Sequence, residues 1–178
     1  MPPTPYAGPL RCTITPDVYA NFLALYPAND PTLGVPFNTG DSLFDRAAAW
    51  FTDIMFLVPC RNFFRYAALL QPTFAYHFHE FIPRNDPSLG VLHASELELL
   101  FGLFPTPVED VFGNQMIDFY IDFINDLNPG AQWPAFTLTV QPKVLQFIRD
   151  NITMIPDDFN LEMTDYMTSA KVLNEFEK

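Results

Sequence analysis

The chain has 178 residues, which is enough for one domain with a hydrophobic core but short for two. Apolar residues make up 49% of it and aromatic residues 16%, a composition that excludes an intrinsically disordered chain. Its 21 acidic and nine basic residues give a net charge of −12, which makes nucleic acid and anionic membrane surfaces poor candidates for partners.

Several other features are not predicted either. No apolar run reaches the length that a transmembrane helix needs. The segment Met1–Leu10 is rich in proline and lacks the basic and apolar regions of a signal peptide, so the localisation stays open. Cys12 and Cys60 could pair, but neither lies in a metal-binding or nucleophile motif. We therefore predict no metal and no cofactor.

The first predicted elements in chain order are helices. Residues 1–18 are predicted to form an irregular lead-in to one unit that spans residues 19–178. Within that unit, Tyr19–Pro27 favours a short helix and a loop follows as far as Gly40. A stronger helix is predicted from Ser42, and Pro59 is expected to break or restart it. Its apolar residues recur every three or four positions and predict one buried stripe: Phe44, Ala47, Ala48, Phe51, Met55 and Val58.

The apolar period changes to two after Thr73, which predicts a β-strand. Alternate side chains of a strand point to opposite faces of the sheet. The predicted faces carry Phe74, Tyr76 and Phe78 on one side and Ala75, His77 and His79 on the other.

A loop and then a helix are predicted after this strand. Ser95 and Glu98 have the S-x-x-E spacing of a capping box, so the helix is expected to begin at Ser95. His93 lies at the end of the loop, where a histidine can reach a neighbouring hydroxyl while the strand holds its position. General-base catalysis needs such a group within hydrogen-bonding reach of the nucleophile. His93 is therefore a candidate catalytic residue, although a solvent-exposed or capping histidine is the commoner case.

The second half of the chain predicts a helix, a hairpin and a final helix. The first helix runs from about Val108 to Leu127, and Asn128–Gly130 is expected to end it. Two short apolar runs, Val144–Ile148 and Ile152–Ile155, predict a β-hairpin. All elements together predict one α/β unit. The first helix carries an apolar stripe and the last an amphipathic pattern: Phe112, Met116, Phe119, Tyr120, Phe123 and Leu127 in the first, and Tyr166, Ser169, Ala170, Leu173 and Phe176 in the last.

Two further patterns bear on function. His77 and His79 share a strand face at a spacing that suits two metal ligands, but Glu80 points to the opposite face and no third ligand is evident. Two polar positions near a strand end are the favoured interpretation. Asn151–Thr153 matches an N-glycosylation sequon in the predicted hairpin turn. No G-x-S-x-G nucleophile motif and no oxyanion-hole glycine run occurs in the sequence.

The segment around His93 resembles the type-B carboxylesterases and lipases, a family that includes the cholinesterases. Leu89–Leu97 is similar to the family's segment around the triad histidine, in which a glycine-x-x-histidine precedes a short helix. Leu100–Gly102 is similar to the usual continuation of that segment. Phe44–Arg61 and Phe74–Phe78 are similar to the helix pair and the strand that come before it.

The resemblance covers roughly Tyr19 to the C-terminus. Asn128–Gly130, followed by Trp133 and Pro134, resembles the family's asparagine-proline and tryptophan-proline pattern. The segment Ile155–Phe159 is similar to fungal members. These motifs occur in the order that the family has them.

The resemblance implies an α/β-hydrolase fold and a triad of serine, glutamate or aspartate, and histidine in that chain order. Only the histidine has a counterpart here, at His93. The chain resembles the C-terminal portion of the fold, a few strands plus covering helices, incomplete at its N-terminal side. It is therefore predicted to be a truncated carboxylesterase- or lipase-like protein that is inactive alone. An ester substrate is expected only if the rest of the fold is supplied.

Two alternative functions stay open. An exposed apolar face, expected to include Phe112, Phe119 and Phe123, could bind a protein partner and make the chain a non-catalytic interaction module. A separate chain could instead supply the N-terminal part, and this chain would then be half of a two-chain esterase. The family is often secreted, but this chain shows no signal for export.

Overall fold

The structure is a computed structural model that describes residues 14–28, 30 and 42–176, with the side chains of Ser42 and Phe176 excluded. Most of the predicted lead-in and the loop that ends at Gly40 lie outside these residues. Cys12 lies outside them too, so its predicted pairing is not tested, and Cys60 is exposed.

Seven α-helices and three β-strands form the described ranges, together with two short helical turns of other kinds. A π-helical turn, Asp53–Leu57, joins the second helix to the third, and a 3-10 turn, Pro87–Leu89, follows the first strand. The strands are β1 (Tyr76–Phe78), β2 (Lys143–Phe147) and β3 (Thr153–Pro156). The helices are α1 (Pro16–Leu25), α2 (Ser42–Thr52), α3 (Val58–Ala67), α4 (Leu97–Leu100), α5 (Glu109–Asp126), α6 (Leu161–Met167) and α7 (Ala170–Phe176).

The π-helical turn lets α2 run directly into α3. The backbone N–H of Val58 bonds to the carbonyl of Asp53, five residues earlier. Proline lacks a backbone donor, and its ring clashes with the carbonyl four residues before it, so the wider π turn accommodates Pro59 in the first turn of α3. The expectation that Pro59 breaks or restarts the helix is therefore met only by a change of helix type just before it, since the helical segment continues without a gap.

The predicted buried stripe that starts in α2 is confirmed at Val58, which is 9% exposed, but is wrong for its large residues before that position. Phe44, Phe51 and Met55 expose 45%, 51% and 52% of their surface, whereas Asp45 and Ala49 are 5% and 2% exposed. The small side chain of Ala49 allows close packing in a cluster that includes tyrosine and methionine side chains from other elements. The large apolar residues therefore lie on the opposite, open face of the helix.

The three strands form a mixed sheet in the order β1-β2-β3. β2 and β3 pair antiparallel through a turn in which Asp150 has a φ of 63°, so the predicted hairpin is confirmed. β1 pairs parallel with β2, and Tyr76 lies opposite Leu145. The carbonyl of Ala75 and the N–H of His79 both bond to residues of β2. Between them, the backbone groups of successive residues point alternately toward β2 and toward the open edge of the described sheet.

Helix α5 packs on the sheet and forms the main core with it. Its predicted bounds are confirmed within one residue at each end, and Leu127 closes it with a φ of 55°. Phe112 is 1% exposed and stacks on Phe78 with ring centroids 6.2 Å apart, so its expected exposure is wrong. Phe119 is half-buried, and Phe123 is 41% exposed. The buried core cluster consists of Ile82, Leu99, Phe112, Met116, Trp133, Leu145 and Phe147.

Helix α4 begins at Leu97, not at Ser95, and the predicted capping box is wrong. The hydroxyl of Ser95 is buried and has no hydrogen-bond partner. Ala94 has a φ of 66°, and the backbone N–H of Ser95 bonds to the carbonyl of Leu92 in a turn. This turn removes Ser95 from the N-cap position, which Glu96 occupies without a side-chain capping bond.

The remaining helices differ from the predictions in their bounds. α1 begins at Pro16, earlier than predicted, because a proline suits the first helical turn. The single predicted final helix is two helices, α6 and α7. The break between α6 and α7 changes which side of the segment is buried. Met167 and Val172 are 1% exposed, whereas Leu173, which belongs to the predicted pattern, is 42% exposed. No helix in the described ranges is long and apolar enough to cross a lipid bilayer.

Candidate catalytic site

Tight turns shape the loop that connects β1 to His93. Asp86 accepts bonds from the backbone N–H of Ser88 at 2.9 Å and from its hydroxyl at 2.8 Å. These bonds, the backbone one first, lower the pKa of the Asp86 carboxyl. Gly90 follows with φ 62° and ψ −138°, a conformation that glycine adopts far more readily than other residues. The glycine of the glycine-x-x-histidine segment is therefore required by the backbone.

His93 is exposed on this loop. Its ring stacks on Phe56 of the π-helical turn, with centroids 4.5 Å apart and planes inclined by 27°. The φ of 66° at the next residue, Ala94, costs a residue with a β-carbon about 1–2 kcal/mol. Strained backbone of this kind is enriched at functional sites.

A groove of about 360 Å³ runs beside His93. Thr52 and Phe56 line one side of it, while His77 and Glu96 are further polar residues along its wall. The Tyr76 hydroxyl donates a hydrogen bond of 3.2 Å to the Glu96 carboxylate. The groove therefore combines an apolar wall with an imidazole at its surface, a combination that suits an organic substrate.

None of the three serines whose side chains are described, Ser88, Ser95 and Ser169, hydrogen-bonds to His93. Ser88 donates its hydroxyl hydrogen to Asp86, and the hydroxyl of Ser169 accepts a bond from a backbone N–H at 3.4 Å. The Ser95 hydroxyl is buried without a partner. His93 therefore has no serine hydroxyl bonded to it among the side chains that are described.

The structure brings His77 and His79 together, as the strand alternation predicts. Their ring centroids are 4.1 Å apart. Burial, followed by the charge of His79, lowers the pKa of His77 to about 4, and burial also lowers the pKa of His79. No cluster of three or more potential metal-ligand side chains occurs among residues 14–28, 30 and 42–176. Glu80 is directed instead to Arg149, whose backbone N–H bonds to its carboxylate at 2.7 Å.

Three ion pairs with a buried member were not predicted. Arg149, in the hairpin turn, bonds at 2.8 Å to Glu109 of α5, a carboxylate that is 0% exposed, and lies 3.6 Å from the Glu80 carboxylate, which is 6% exposed. Arg61 of α3 bonds at 2.7 Å to Asp157. The partners of each pair lie far apart along the chain. The sequence therefore shows each charged residue alone, without any sign of the residue that it pairs with. These pairs connect α5 to the hairpin turn and α3 to the segment after β3.

Residues 37–165, well over half of the chain, match the model of a family described as the carboxylesterase family. The chain belongs to the carboxylesterase family. The match confirms the resemblance seen in the sequence motifs, and it includes β1, the His93 loop and α5. A search of curated proteins found no match to the chain.

Membership of the carboxylesterase family also confirms the expected fold class. The helices and the small mixed sheet correspond to part of an α/β-hydrolase fold. Three statements remain predictions: that the chain is similar to fungal members, that it is similar to lipases, and that the chain divides after residue 18. Glycosylation of Asn151 remains one too, and that residue is exposed in the hairpin turn.

Proposed function

We propose that this member of the carboxylesterase family takes part in carboxylic ester hydrolysis, with His93 as the general base. The observation that carries the proposal is the exposed imidazole beside a groove of about 360 Å³, on a loop shaped by Gly90 and Ala94. The nucleophilic serine, the triad acid and the oxyanion hole would come from protein outside these 178 residues. They could belong to a further segment of the same protein or to a separate chain.

In this role His93 accepts the proton of the serine hydroxyl while the serine oxygen attacks the ester carbonyl. It then donates that proton to the alcohol that leaves. Stacking on Phe56 contacts a face of the imidazole, and both nitrogens lie at the ring edge, where proton transfer takes place. The contact would orient the ring without occupying a nitrogen.

The 178-residue chain alone is expected to show no ester hydrolysis that depends on His93. Loss of a triad serine alone costs on the order of a millionfold in turnover in a well-studied hydrolase. We expect the chain and its His93→Ala variant to hydrolyse 4-nitrophenyl acetate at the same background rate. Turnover that disappears in the variant would contradict this expectation.

The decisive experiment reads the transcript upstream of the Met1 codon. An in-frame G-x-S-x-G followed by an acidic segment would allow the extended protein to be expressed. In that protein His93→Ala should lower kcat by several orders of magnitude, whereas His79→Gln, at a histidine that does not line the groove, should leave it nearly unchanged. Full ester hydrolysis by the His93→Ala protein would refute the role of His93.

A protein-interaction module is the second candidate, because large apolar side chains are exposed on more than one helix. Phe51 of α2, Phe63 of α3 and Ile124 of α5 expose 51%, 60% and 73% of their surface. A monodisperse monomer that unfolds cooperatively would favour such a module, while an associating chain that unfolds without cooperativity would favour an incomplete hydrolase.

A further inference from the structure

Phe56, which stacks on His93, belongs to the π-helical turn between α2 and α3. Four residues of this continuous helix line the groove beside His93, each four positions after the one before: Phe44, Ala48, Thr52 and Phe56. In a regular α-helix, each step of four residues turns about 40° beyond a full turn, so such a row drifts off one side of the helix. The wider π turn needs more than four residues to close, so the step to Phe56 turns the other way. Phe56 therefore stays on the side of the helix that faces the groove.

The π-helical turn is anchored in the interior by its first residue. Asp53 is 0% exposed, and its carboxylate accepts a bond of 2.7 Å from the Tyr26 hydroxyl and one of 3.0 Å from the Asn160 side-chain amide. These two partners are the residue that follows α1 and the residue that precedes α6. A buried carboxylate bonded on both sides makes the turn rigid. The ring of Phe51 also meets that of Phe56 edge-on, with centroids 6.4 Å apart, so the position of Phe56 is restrained twice.

The orientation of the His93 ring matters because its two nitrogens have different tasks. A triad base needs one nitrogen directed to the nucleophile and the other to the acid. A rotation of 180° about the Cβ–Cγ bond brings ring carbons to the places of both nitrogens. Within residues 14–28, 30 and 42–176 the imidazole makes no hydrogen bond that would prevent this rotation. Halfway through it, however, the ring would stand edge-on to Phe56, so the stack has to open first.

We propose that Phe56, presented by the anchored π-helical turn, is a positioning residue that holds the imidazole of His93 in one orientation. The stack, with centroids 4.5 Å apart and planes inclined by 27°, opposes the rotation and leaves the ring edge with both nitrogens open. The functional meaning of this ordering rests on the proposed role of His93 as general base. The ordering itself is a property of the 178-residue chain, so it can be measured without any ester hydrolysis.

The test is solution NMR of the 178-residue chain with isotope-labelled histidine, in which the signals missing from His93→Gln identify those of His93. We expect its ring protons to be shifted upfield by the Phe56 ring. We also expect an order parameter of about 0.8 for its ring C–H bonds, close to that of rigid backbone. Phe56→Leu should remove the upfield shift and lower the order parameter below about 0.6. Phe56→Tyr keeps the aromatic ring and should keep both signatures.

Two controls separate positioning from a general loss of structure. Phe63→Leu changes a phenylalanine of α3 that is 60% exposed and does not line the groove, so it should leave the His93 signals unaltered. The signals of His79, also outside the groove, should be unaltered in Phe56→Leu. A high order parameter of His93 in Phe56→Leu, an equal fall in Phe56→Tyr, or a simultaneous change at His79 would overturn the proposal. Ester hydrolysis that survives His93→Ala in the extended protein would instead refute the general base and leave the ordering by Phe56 intact.

Discussion

The environment of His77, taken as a whole, opposes its protonation. It lies on β1 beside His79, and its ring is 5.4 Å from that of Phe159. Burial contributes most to its lowered pKa of about 4, followed by the charge of His79. The Asp157 carboxylate opposes this shift, and Arg61 adds to it. A neutral imidazole is therefore built into the folded state.

This environment predicts how stability depends on pH. The unfolded chain protonates His77 near pH 6.5, whereas the folded chain does so only near pH 4. Because the unfolded state binds the extra proton, the free energy of unfolding falls as the pH is lowered from about 6.5 to about 4. The loss should be on the order of 3 kcal/mol, measured by urea denaturation at several pH values.

A variant comparison isolates His77 from other titrating groups. His77→Gln should remove most of this slope, while His93→Gln, at the exposed histidine, should keep it. Burial raises the pKa of Asp53, which acts in the opposite direction, but that effect is common to all the proteins compared. The same slope in His77→Gln as in the unsubstituted chain would contradict the prediction.

Backbone strain next to His93 gives a second prediction at the scale of one residue. Ala94→Gly should raise the free energy of unfolding by about 0.5–1 kcal/mol, because glycine adopts positive φ without steric cost. Ala47→Gly is the control, since Ala47 is exposed within α2 and glycine there should cost about 1 kcal/mol. Equal destabilisation by both substitutions, measured by urea denaturation, would show that the turn at Ala94 is not strained.

Among the secondary-structure elements, Arg61 connects α3 to the segment after β3. Its guanidinium bonds to Asp157 at 2.7 and 3.0 Å and to the Thr164 hydroxyl at 2.7 Å. A third acceptor, the carbonyl of Phe159, lies at 2.7 Å. With Arg61 only 7% exposed, these bonds satisfy a buried charge.

Arg61→Met should therefore lower the free energy of unfolding by about 3 kcal/mol, because it leaves the partly buried Asp157 carboxylate without its partner. Arg65→Met is a matched control on the same helix, where Arg65 pairs with Asp165 and both are about half exposed. An exposed pair contributes about 0–1 kcal/mol. Chemical denaturation that gave similar losses for both variants would contradict the anchoring role of Arg61.

The elements that were predicted well are those in which the apolar residues of the pattern are also the buried ones. Helix α5 and the hairpin follow their apolar patterns closely because each buries one face against the other. The stripe of α2 failed because Phe44 and Phe51 lie on the open face of the helix, although their apolar character predicts burial. The buried positions are Asp45, Ala49, Asp53, Val58 and Arg61, and the wider step between Asp53 and Val58 marks the inserted residue.

The candidate site was predictable only where a local motif carried it. His93 follows from the glycine-x-x-histidine segment, and the φ of 62° at Gly90 gives that glycine a physical reason. Partners that meet through tertiary folding carry no such motif. Asp53, for example, is buried and accepts bonds from Tyr26 at 2.7 Å and Asn160 at 3.0 Å, residues from distant parts of the chain.

On the scale of the whole molecule, apolar residues on several helices remain open to solvent. Leu70, just after α3, is 85% exposed, and Ile124 of α5 is 73% exposed. Patches of this kind are typical of surfaces that contact other protein. We therefore expect the isolated chain to associate with itself as its concentration rises.

Leu70→Gln combined with Ile124→Gln should raise the fraction of monomer measured by sedimentation velocity. Both changes leave the net charge of −12 unaltered, so an effect would come from the loss of apolar surface. Because both side chains are exposed, the free energy of unfolding should change by no more than about 0.5 kcal/mol. Unchanged association with unchanged stability would show that other surfaces hold the copies together.

The short parallel strand β1 also has a kinetic consequence. β2 and β3 are joined by a tight turn, and a hairpin of this kind forms within about 1–10 microseconds. β1 and β2 are separated in sequence by the residues that form α4 and α5, so their pairing has to close a long loop. We expect a pairing of three residues across so long a stretch to form after the hairpin and to open before it. Because the loop of His93 follows β1, opening of this pairing would release one of the supports that hold the histidine in position.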